Sequence, residues 1–402
     1  MSTSLLYHTQ GLCEYNYLST NYIGGKVHIS IEQKKGLLKC VNCKSHNVLA
    51  TKFKSRNIKG VPIGRKQTIF EVKIRRLRCA DCGADRQEEI SCTPSPKAQY
   101  TKAMVKTVLD LRPKMSISDV ASFLGLHWGT VKDIEKKYLQ KKFTTIRLKD
   151  VEVIGMDELY VGNEFITIVR DLESGAVLHV GDGKSGDALK GFVRKLNSSK
   201  CKIKAIAMDL GPAYAAWAKK YLPNARIVYD HFHLIKLMNK KLDDLRRKTM
   251  NEADDEMKKQ LKKKRFLFLK NEENHDEDAL IELENLKESF GDLGFATFMK
   301  ECLRKTYSLA PDEYMAKTAF DFWCKLADES GISCLEKMAK TIRRHMDGIL
   351  GYWKEGRLTS AGMEGFNNKV RWLIRQAYGY QDHEYFKLKI FDLPNIKVAK
   401  EL

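Results

Sequence analysis

The spacing of apolar and polar positions changes several times along the chain, and each change predicts a different kind of element. From Thr68 to Arg76, Phe70, Val72 and Ile74 alternate with Glu71, Lys73 and Arg75. A period of two predicts a strand with one face in a core. Gly60, Pro62 and Gly64 precede it and read as the turn of a hairpin. Residues 1–36 give no clear pattern, and Pro94 with Pro96 reads as a short linker. Residues 100–142 take a helical period, clearest from Ile117 to Tyr138. There Ser118 is a candidate helix cap, with Val120, Ala121 and Leu124 on the buried face. Gly125 makes the turn, and a second helix starts near Trp128 and buries Val131 and Ile134. Two short helices cross closely only where the contact residue is small and the turn residue accepts positive φ, the pattern of a helix-turn-helix.

At Val151 the pattern becomes that of an α/β unit. Strands are expected over Val151–Tyr160, Glu164–Asp171, Ala176–Gly183, Lys202–Asp209 and Ala225–Asp230, with helices over Gly186–Leu196 and Pro212–Tyr221. The order β-β-β-α-β-α-β builds a mixed five-stranded sheet with helices on its faces, which is the order of the ribonuclease H-like fold. From His231 to about Asp347 the chain reads as a helical insertion, within which the basic run Lys258–Arg265 reads as a solvated face. A last helix is expected from about Gly362 to Ala377, with Phe366, Val370, Leu373, Ile374 and Ala377 as its apolar stripe.

Charge separates the two parts further. The chain has 402 residues and a formal net charge of +20. Residues 1–150 carry 28 Lys and Arg against 12 Asp and Glu, a net of +16, so the remainder holds only +4. A basic N-terminal third is the footprint of a polyanion binder. An anionic membrane is the weaker candidate, because no basic amphipathic helix with bulky apolar anchors stands out. No apolar run is long enough for a transmembrane helix and no signal peptide is evident, so an intracellular, cytoplasmic protein is expected. In that setting paired cysteines read as metal ligands before disulfides. Cys40/Cys43 and Cys79/Cys82 form two C-x2-C knuckles separated by 35 residues. Two knuckles supply the four thiolates of a structural Zn²⁺ site, and the long spacing suits a zinc ribbon with an extended hairpin carrying a knuckle at each end. His46 and Cys92 are possible substitute ligands; the other cysteines read as small core residues.

The carboxylates carry the chemistry. Asp157 is expected to end the first strand of the α/β unit and Asp209 the fourth. Those strands are neighbours in a ribonuclease H-like sheet, so the two acids come together, an arrangement that calls for a cation. Two Mg²⁺ (or Mn²⁺) ions would activate the attacking oxygen and stabilise the leaving one.

The stretches VIGMDELYVG, AIAMDLGPAYAAWAKKYLPNARIVYDHFHLIKLMNKKLDDLRR and TSAGMEGFNNKVRWLIRQAYGYQDHEYFKLKIF resemble the catalytic blocks of the ISL-three family of bacterial insertion-sequence transposases. The knuckles and helix pair resemble the family's N-terminal segments. The resemblance implies a D-D-E triad of Asp157, Asp209 and Glu364. Glu355 reads as part of a Gly-rich loop and Glu384 lies beyond the last helix, so neither competes well with Glu364 for the third position. YDHFHLIK also resembles a family block: Asp230 or His233 is either an accessory site residue or, respectively, a helix cap and a packing residue. Where the family is more basic, after its Glu-Gly-x-Asn-Asn block, this chain reads VRWLIRQAYGY.

The expected fold class is therefore multidomain α+β, comprising a zinc ribbon, a helix-turn-helix and a ribonuclease H-like domain with a large helical insertion. The expected divisions are 1–36, an N-terminal segment; 37–92, the ribbon; 93–145, the helix-turn-helix domain; 150–235, the first part of the catalytic core; 236–350, the insertion; and 351–395, the last part of the core. The expected partner is double-stranded DNA: the element's terminal inverted repeats and its target. His127, Trp128, Thr130, Lys132 and Lys136 on the recognition helix, with Arg371 and Arg375 on the last helix, would touch it. Pairing two ends requires at least a homodimer, working at the bacterial nucleoid. Two competing functions are a zinc-bearing DNA-binding regulator without catalysis and a nuclease that cuts without joining.

Overall fold

The computed structural model describes residues 5–395, which divide into two compact units, 5–144 and 145–395. In the first, helix α1 (Leu5–Gln10) precedes a sheet of order β1-β2-β4-β3, with β5 on β4. The strands are β1 (Tyr15–Ile23), β2 (Lys26–Gln33), β3 (Val48–Ile63), β4 (Lys66–Cys79) and β5 (Asp85–Gln87). β2 runs parallel to β4, and the other pairings are antiparallel. Phe70, Val72 and Ile74 are buried on one face with Val27, Ile29 and Ile31 from β2. Residues 1–36 thus hold a hairpin that completes this core, and the alternation of Val27, Ile29 and Ile31 after Gly24-Gly25 was its signal.

The β3–β4 turn is shorter than expected. Gly60 and Pro62 lie inside β3, and only Gly64, at φ 60°, belongs to the turn. Gly60 is needed for packing: a Cβ there would stand 2.2 Å from Cε2 of Phe70.

Three helices complete the first unit: α2 (Lys102–Leu111), α3 (Ile117–Leu124) and α4 (Trp128–Lys142). The cap of α3 is Ser116 and not Ser118. Ser116 Oγ accepts from the Asp119 N–H while the Asp119 carboxylate accepts from the Ser116 N–H, and this reciprocal pair fixes the start two residues earlier. Gly125 ends α3 in the left-handed region at φ 65°. Val120, Ala121, Leu124, Val131 and Ile134 form a shared core with Met104 and Val108 of α2.

The second unit is built on the order β10-β9-β6-β7-β8. Its strands are β6 (Val153–Val161), β7 (Glu164–Asp171), β8 (Val177–Asp182), β9 (Ala205–Met208) and β10 (Arg226–Tyr229). β6, β7 and β8 are antiparallel, while β9 and β10 run parallel to β6. α5 (Lys190–Ser198) and α6 (Pro212–Tyr221) connect the later strands. The insertion comprises α7 (His231–Glu252), α8 (Asp255–Leu261), α9 (Arg265–Leu269), α10 (Glu277–Ser289), α11 (Gly291–Leu309), α12 (Glu313–Glu329) and α13 (Ser333–Lys354). Its basic run is partly paired: Arg265 lies 3.1 Å from Asp243, and Lys264 meets Glu282.

Both sheet faces are covered. Ile154, Met156 and Val169 face the core shared with α5, α6 and the insertion. Leu159, Ile166 and Ile168 face α14 (Ala361–Gln376) and α15 (His383–Asp392). Two details of the helices differ from the sequence pattern. GYWKEGR is helical as far as Lys354, with Glu355 as the C-cap and Gly356 in the turn beyond; Gly348 and Gly351 let α13 press onto β10, where a Cβ on Gly351 would stand 2.8 Å from the Ile227 carbonyl oxygen. Along α14 the buried residues are Met363, Phe366, Asn367, Val370 and Leu373, while Ala377 is an exposed C-cap.

The approach of α14 to β6 depends on Gly155, where a Cβ would meet Leu172 at 2.7 Å and Met363 at 2.9 Å. Gly155→Val should therefore destabilise the chain by about 1–3 kcal/mol. Denaturant unfolding measures this, and an unchanged midpoint would contradict the packing.

Candidate active site

β6 and β9 pair only over Val153–Gly155 and Ala205–Ala207. β9 stops at Met208, whereas β6 continues as the arm of the hairpin with β7. Asp157 therefore lies in mid-strand, two residues past the last parallel pair, and does not end its strand. Asp209 follows β9 directly. Asp157 shares its face of the sheet with Leu159, beneath α14. The neighbouring Glu158 projects to the opposite face, where its carboxyl is raised by burial and receives a hydrogen bond from Tyr214.

Asp157 is poorly hydrated. Burial first, and then the charge of Asp209, push its carboxyl up to about 6. Two donors answer that charge. Asp157 Oδ1 accepts the Glu158 N–H at 2.7 Å, and Oδ2 accepts from Asn367 Nδ2 at 2.5 Å. Asn367 is 4% exposed, and its own Oδ1 is buried without a hydrogen-bond partner. A carboxylate accepts and cannot donate, so the amide must turn its nitrogen to Asp157 and its oxygen elsewhere. Asn367 was legible only as part of a motif; no periodicity marks a buried asparagine on an apolar face as a partner of a residue 210 positions earlier.

Asp209 has a different partner. His233 Nε2 lies 2.8 Å from Asp209 Oδ1. Burial alone would lower the His233 pKa, but the hydrogen bond and charge of Asp209 outweigh it and raise the value. Asp230 caps α7 through the Phe232 N–H at 2.9 Å, and its other oxygen accepts from Ser360 Oγ, just before α14. Asp230 thus ties together the starts of two helices.

Glu364 is exposed in the first turn of α14, three residues before Asn367. Arg170 anchors that turn: it donates to Gly362 O at 2.6 Å and to Gly175 O at 2.7 Å, and its guanidinium stacks 4.1 Å from the centre of the Phe366 ring. Glu355 pairs with Arg226 at the first residue of β10, at the end of the parallel strands away from Asp209. Glu384 lies in the first turn of α15. Among the described residues, the one group of three or more potential metal-ligand atoms lying within 4.8 Å of one another is the four cysteines; Asp157, Asp209 and Glu364 do not form a second.

That cysteine cluster sits at the open end of the β3–β4 hairpin, where both knuckles meet. Cys40 Sγ lies 3.6 Å from Cys82 Sγ, and Cys43 Sγ lies 3.6 Å from Cys79 Sγ. Four sulfurs each about 2.3 Å from one tetrahedral ion would stand about 3.8 Å apart, so the spacing suits Zn²⁺. Each knuckle turns through a left-handed residue, Lys44 at φ 63° and Gly83 at φ 70°. Backbone N–H groups of Cys43 and Asn42 are aimed at Cys40 and help bring its thiol down to about 7, toward the thiolate that a metal requires. His46 instead turns its Nδ1 to the Leu38 carbonyl at 2.8 Å, and Cys92 packs in the sheet core with Tyr15.

On α4, His127 caps the helix by accepting the Gly129 N–H, Trp128 is exposed, and Thr130, Lys132 and Lys136 are half-buried. Arg371 and Arg375 are exposed on α14. The described residues contain no helix long and apolar enough to cross a membrane.

The model of the ISL-three family, described as transposase, matches residues 154–390, the segment that carries both aspartates, His233 and α14. The chain belongs to this transposase family. It is 28% identical over 373 residues to the transposase for insertion sequence element IS1001 of Bordetella parapertussis, covering 91% of each chain. It is 24% identical over 347 residues to the transposase for insertion sequence element IS1557 of Mycobacterium tuberculosis, covering 79% of this chain and 77% of that one. Among solved structures, the Drosophila P element transposase strand transfer complex aligns over 73% of this chain and 91% of that one, with 12% identity and a TM-score of 0.42.

Two outcomes follow from the geometry. The purified protein should carry about one Zn²⁺ per chain, lost when Cys40 and Cys79 become Ser, with unfolding of the ribbon. Metal analysis finding no zinc in folded protein would contradict it. The second concerns pH. The folded pKa of Asp157 lies above the ordinary carboxylate value near 4, so its ionised form costs stability. That cost appears as pH rises from about 4 and is complete above about 6. In Mg²⁺-free buffer, Asp157→Asn should therefore be about 2–3 kcal/mol more stable than the parent at pH 8, the gain vanishing toward pH 4. Thermal unfolding across this range checks it, and a pH-independent difference would refute it.

Proposed function

We propose that this chain is a DNA transposase of a bacterial insertion sequence, acting at the nucleoid as at least a dimer. Its first unit binds the element's ends, and its second cuts and joins phosphodiester bonds. The observation that carries the reading is the Asp157–Asp209 pair beside the end of β9, inside the segment matched by the transposase family. The sheet order, three antiparallel strands followed by two parallel to the first, supports a ribonuclease H-like core.

Asp157, Asp209 and Glu364 are the residues that would hold two Mg²⁺ or Mn²⁺ ions. The fit rests on two acids that need a cation and on an unpartnered amide oxygen next to them. Glu364 belongs to the turn that Asn367 places against Asp157. When bound, the ions supply Lewis-acid activation of the attacking oxygen and neutralise charge on the leaving one. Asn367 keeps the Asp157 carboxylate from rotating. His233 holds Asp209 and retains a proton at Nε2 to higher pH than a free histidine. Arg371 and Arg375 lie on the exposed face of α14, where cations meet phosphates.

In the first unit, the four cysteines would hold Zn²⁺ and clamp the hairpin. α3 and α4 form a helix-turn-helix whose second helix presents His127, Trp128, Thr130, Lys132 and Lys136 to the major groove. The surrounding cations give non-specific affinity that falls with salt.

Labelled element ends test the triad. Asp157→Asn, Asp209→Asn and Glu364→Gln should each lower Mg²⁺-dependent cleavage more than about 100-fold while retaining end binding. Glu355→Gln and Glu384→Gln should cleave normally. A normal Glu364→Gln beside a dead variant at 355 or 384 would move the third ligand. On supercoiled plasmid carrying both ends, joined products are expected; nicks alone would indicate a nuclease, and binding alone a regulator.

A further inference from the structure

Beyond Glu364, α14 presents an exposed face that the fold does not use. Trp372 is 58% exposed there, roughly opposite the buried Met363, Phe366, Val370 and Leu373. Tyr378, just past the helix, is fully exposed and held at φ 53°, a left-handed backbone that few aromatic residues adopt. The indole thus offers a π face to a partner from solvent.

The surrounding charge points to one. Lys369 and Arg375 lie one turn to either side of Trp372, are exposed, and meet no carboxylate among the described residues. Among the described residues, Arg371 is held only by the neutral Asn368, at 2.8 Å. Between Glu364 and Asp382 the sequence has no acid. An aromatic face flanked by unpaired cations matches a partner that offers both π faces and a regular negative charge, which is a nucleic acid strand. A paired duplex hides its base faces, so the exposed indole fits a nucleotide taken out of the stack. Trp372 lies eight residues beyond Glu364, about 12 Å along the helix and about 80° around it. Both are on the exposed half of α14, so one strand can run past both within a few nucleotides.

We propose that Trp372 is a stacking platform for an unpaired nucleotide of the DNA strand engaged at the Asp157–Asp209 site. The location relative to the chemistry rests on the transposase reading; the stacking itself does not.

The test uses full-length protein and a twelve-residue oligothymidine with 2-aminopurine at its centre. Binding should quench the probe, because its base stacks on the indole. Trp372→Ala should abolish the quench and weaken binding about tenfold or more. Trp372→Phe should retain most of both. Cleavage of fully paired element ends should fall in Trp372→Ala and recover on ends with unpaired bases beside the cut. Unchanged quench and affinity in Trp372→Ala would overturn the proposal. So would a change in oligomeric state by sedimentation without any change in oligothymidine binding, which would assign the face to a second copy of the chain. If the parent protein stacks the probe but never cleaves element ends, the transposase reading fails and the platform stands. If it cleaves while Trp372→Ala stacks and cuts as well as the parent, the platform alone fails.

Discussion

The half-hydrated carboxylate of Asp157, set beside a second carboxylate, is the constraint that organises the second unit. Ionised acids in such a position repel each other and lack water to offset the repulsion. The fold answers with dipoles and a proton instead of a fixed cation. The Glu158 N–H and the Asn367 amide hold Asp157, while His233 holds Asp209. The groups come from four separate segments, around 157, 209, 233 and 367, so the arrangement exists only when sheet, insertion and α14 are all in place. A site stabilised this way keeps its negative potential uncompensated by any lysine or arginine among the described residues.

The start of α14 is correspondingly over-determined. Gly155 removes the side chain that would push the helix away from β6. Arg170 bridges Gly362 and Gly175 and stacks on Phe366. Ser360 bonds to the buried Asp230, which also caps α7. The insertion contributes here as well. Tyr307 of α11 and Trp353 of α13 stack with ring centres 5.1 Å apart, and Tyr307 also packs against His231, next to Asp230. The 131 residues between β10 and α14 (230–360) thus return the chain to the sheet through an aromatic junction.

The first unit follows the same logic with different chemistry. Its sheet has a thin core, and the hairpin β3–β4 extends well beyond it, with most of β3 from Leu49 to Ser55 exposed. A strand pair of that kind is weakly held by burial alone. The cysteine knuckles gather at its open end, and at the other end Lys59 donates to the Gly125 carbonyl oxygen at 2.5 Å, linking sheet to helices. Sheet and helix pair are thereby linked within one compact unit.

What the chain determines locally was readable from it. Alternation placed Phe70, Val72 and Ile74 in a core, Gly125 marked a left-handed turn, the C-x2-C spacing announced four thiolates, and the strand order of the second unit followed from apolar runs between helices. These signals survive because each depends on a few neighbouring residues and on backbone sterics. Two local signals point elsewhere than the structure: Ser118 reads as a cap because the reciprocal Ser116–Asp119 pair begins outside the apolar pattern, and Gly60 and Pro62 read as a turn because the ring of Phe70 that requires a glycine lies in the partner strand. Asp157 and Asp209 are marked in the sequence only by their expected strand-end positions, and Glu364 only by a resemblance. Only the tertiary structure decided that β6 outruns β9, leaving Asp157 in mid-strand with its carboxylate under α14. It alone joined Asn367 to Asp157, His233 to Asp209 and Ser360 to Asp230, because a polar side chain shows its partner only when long-range packing removes the water that would otherwise serve in its place.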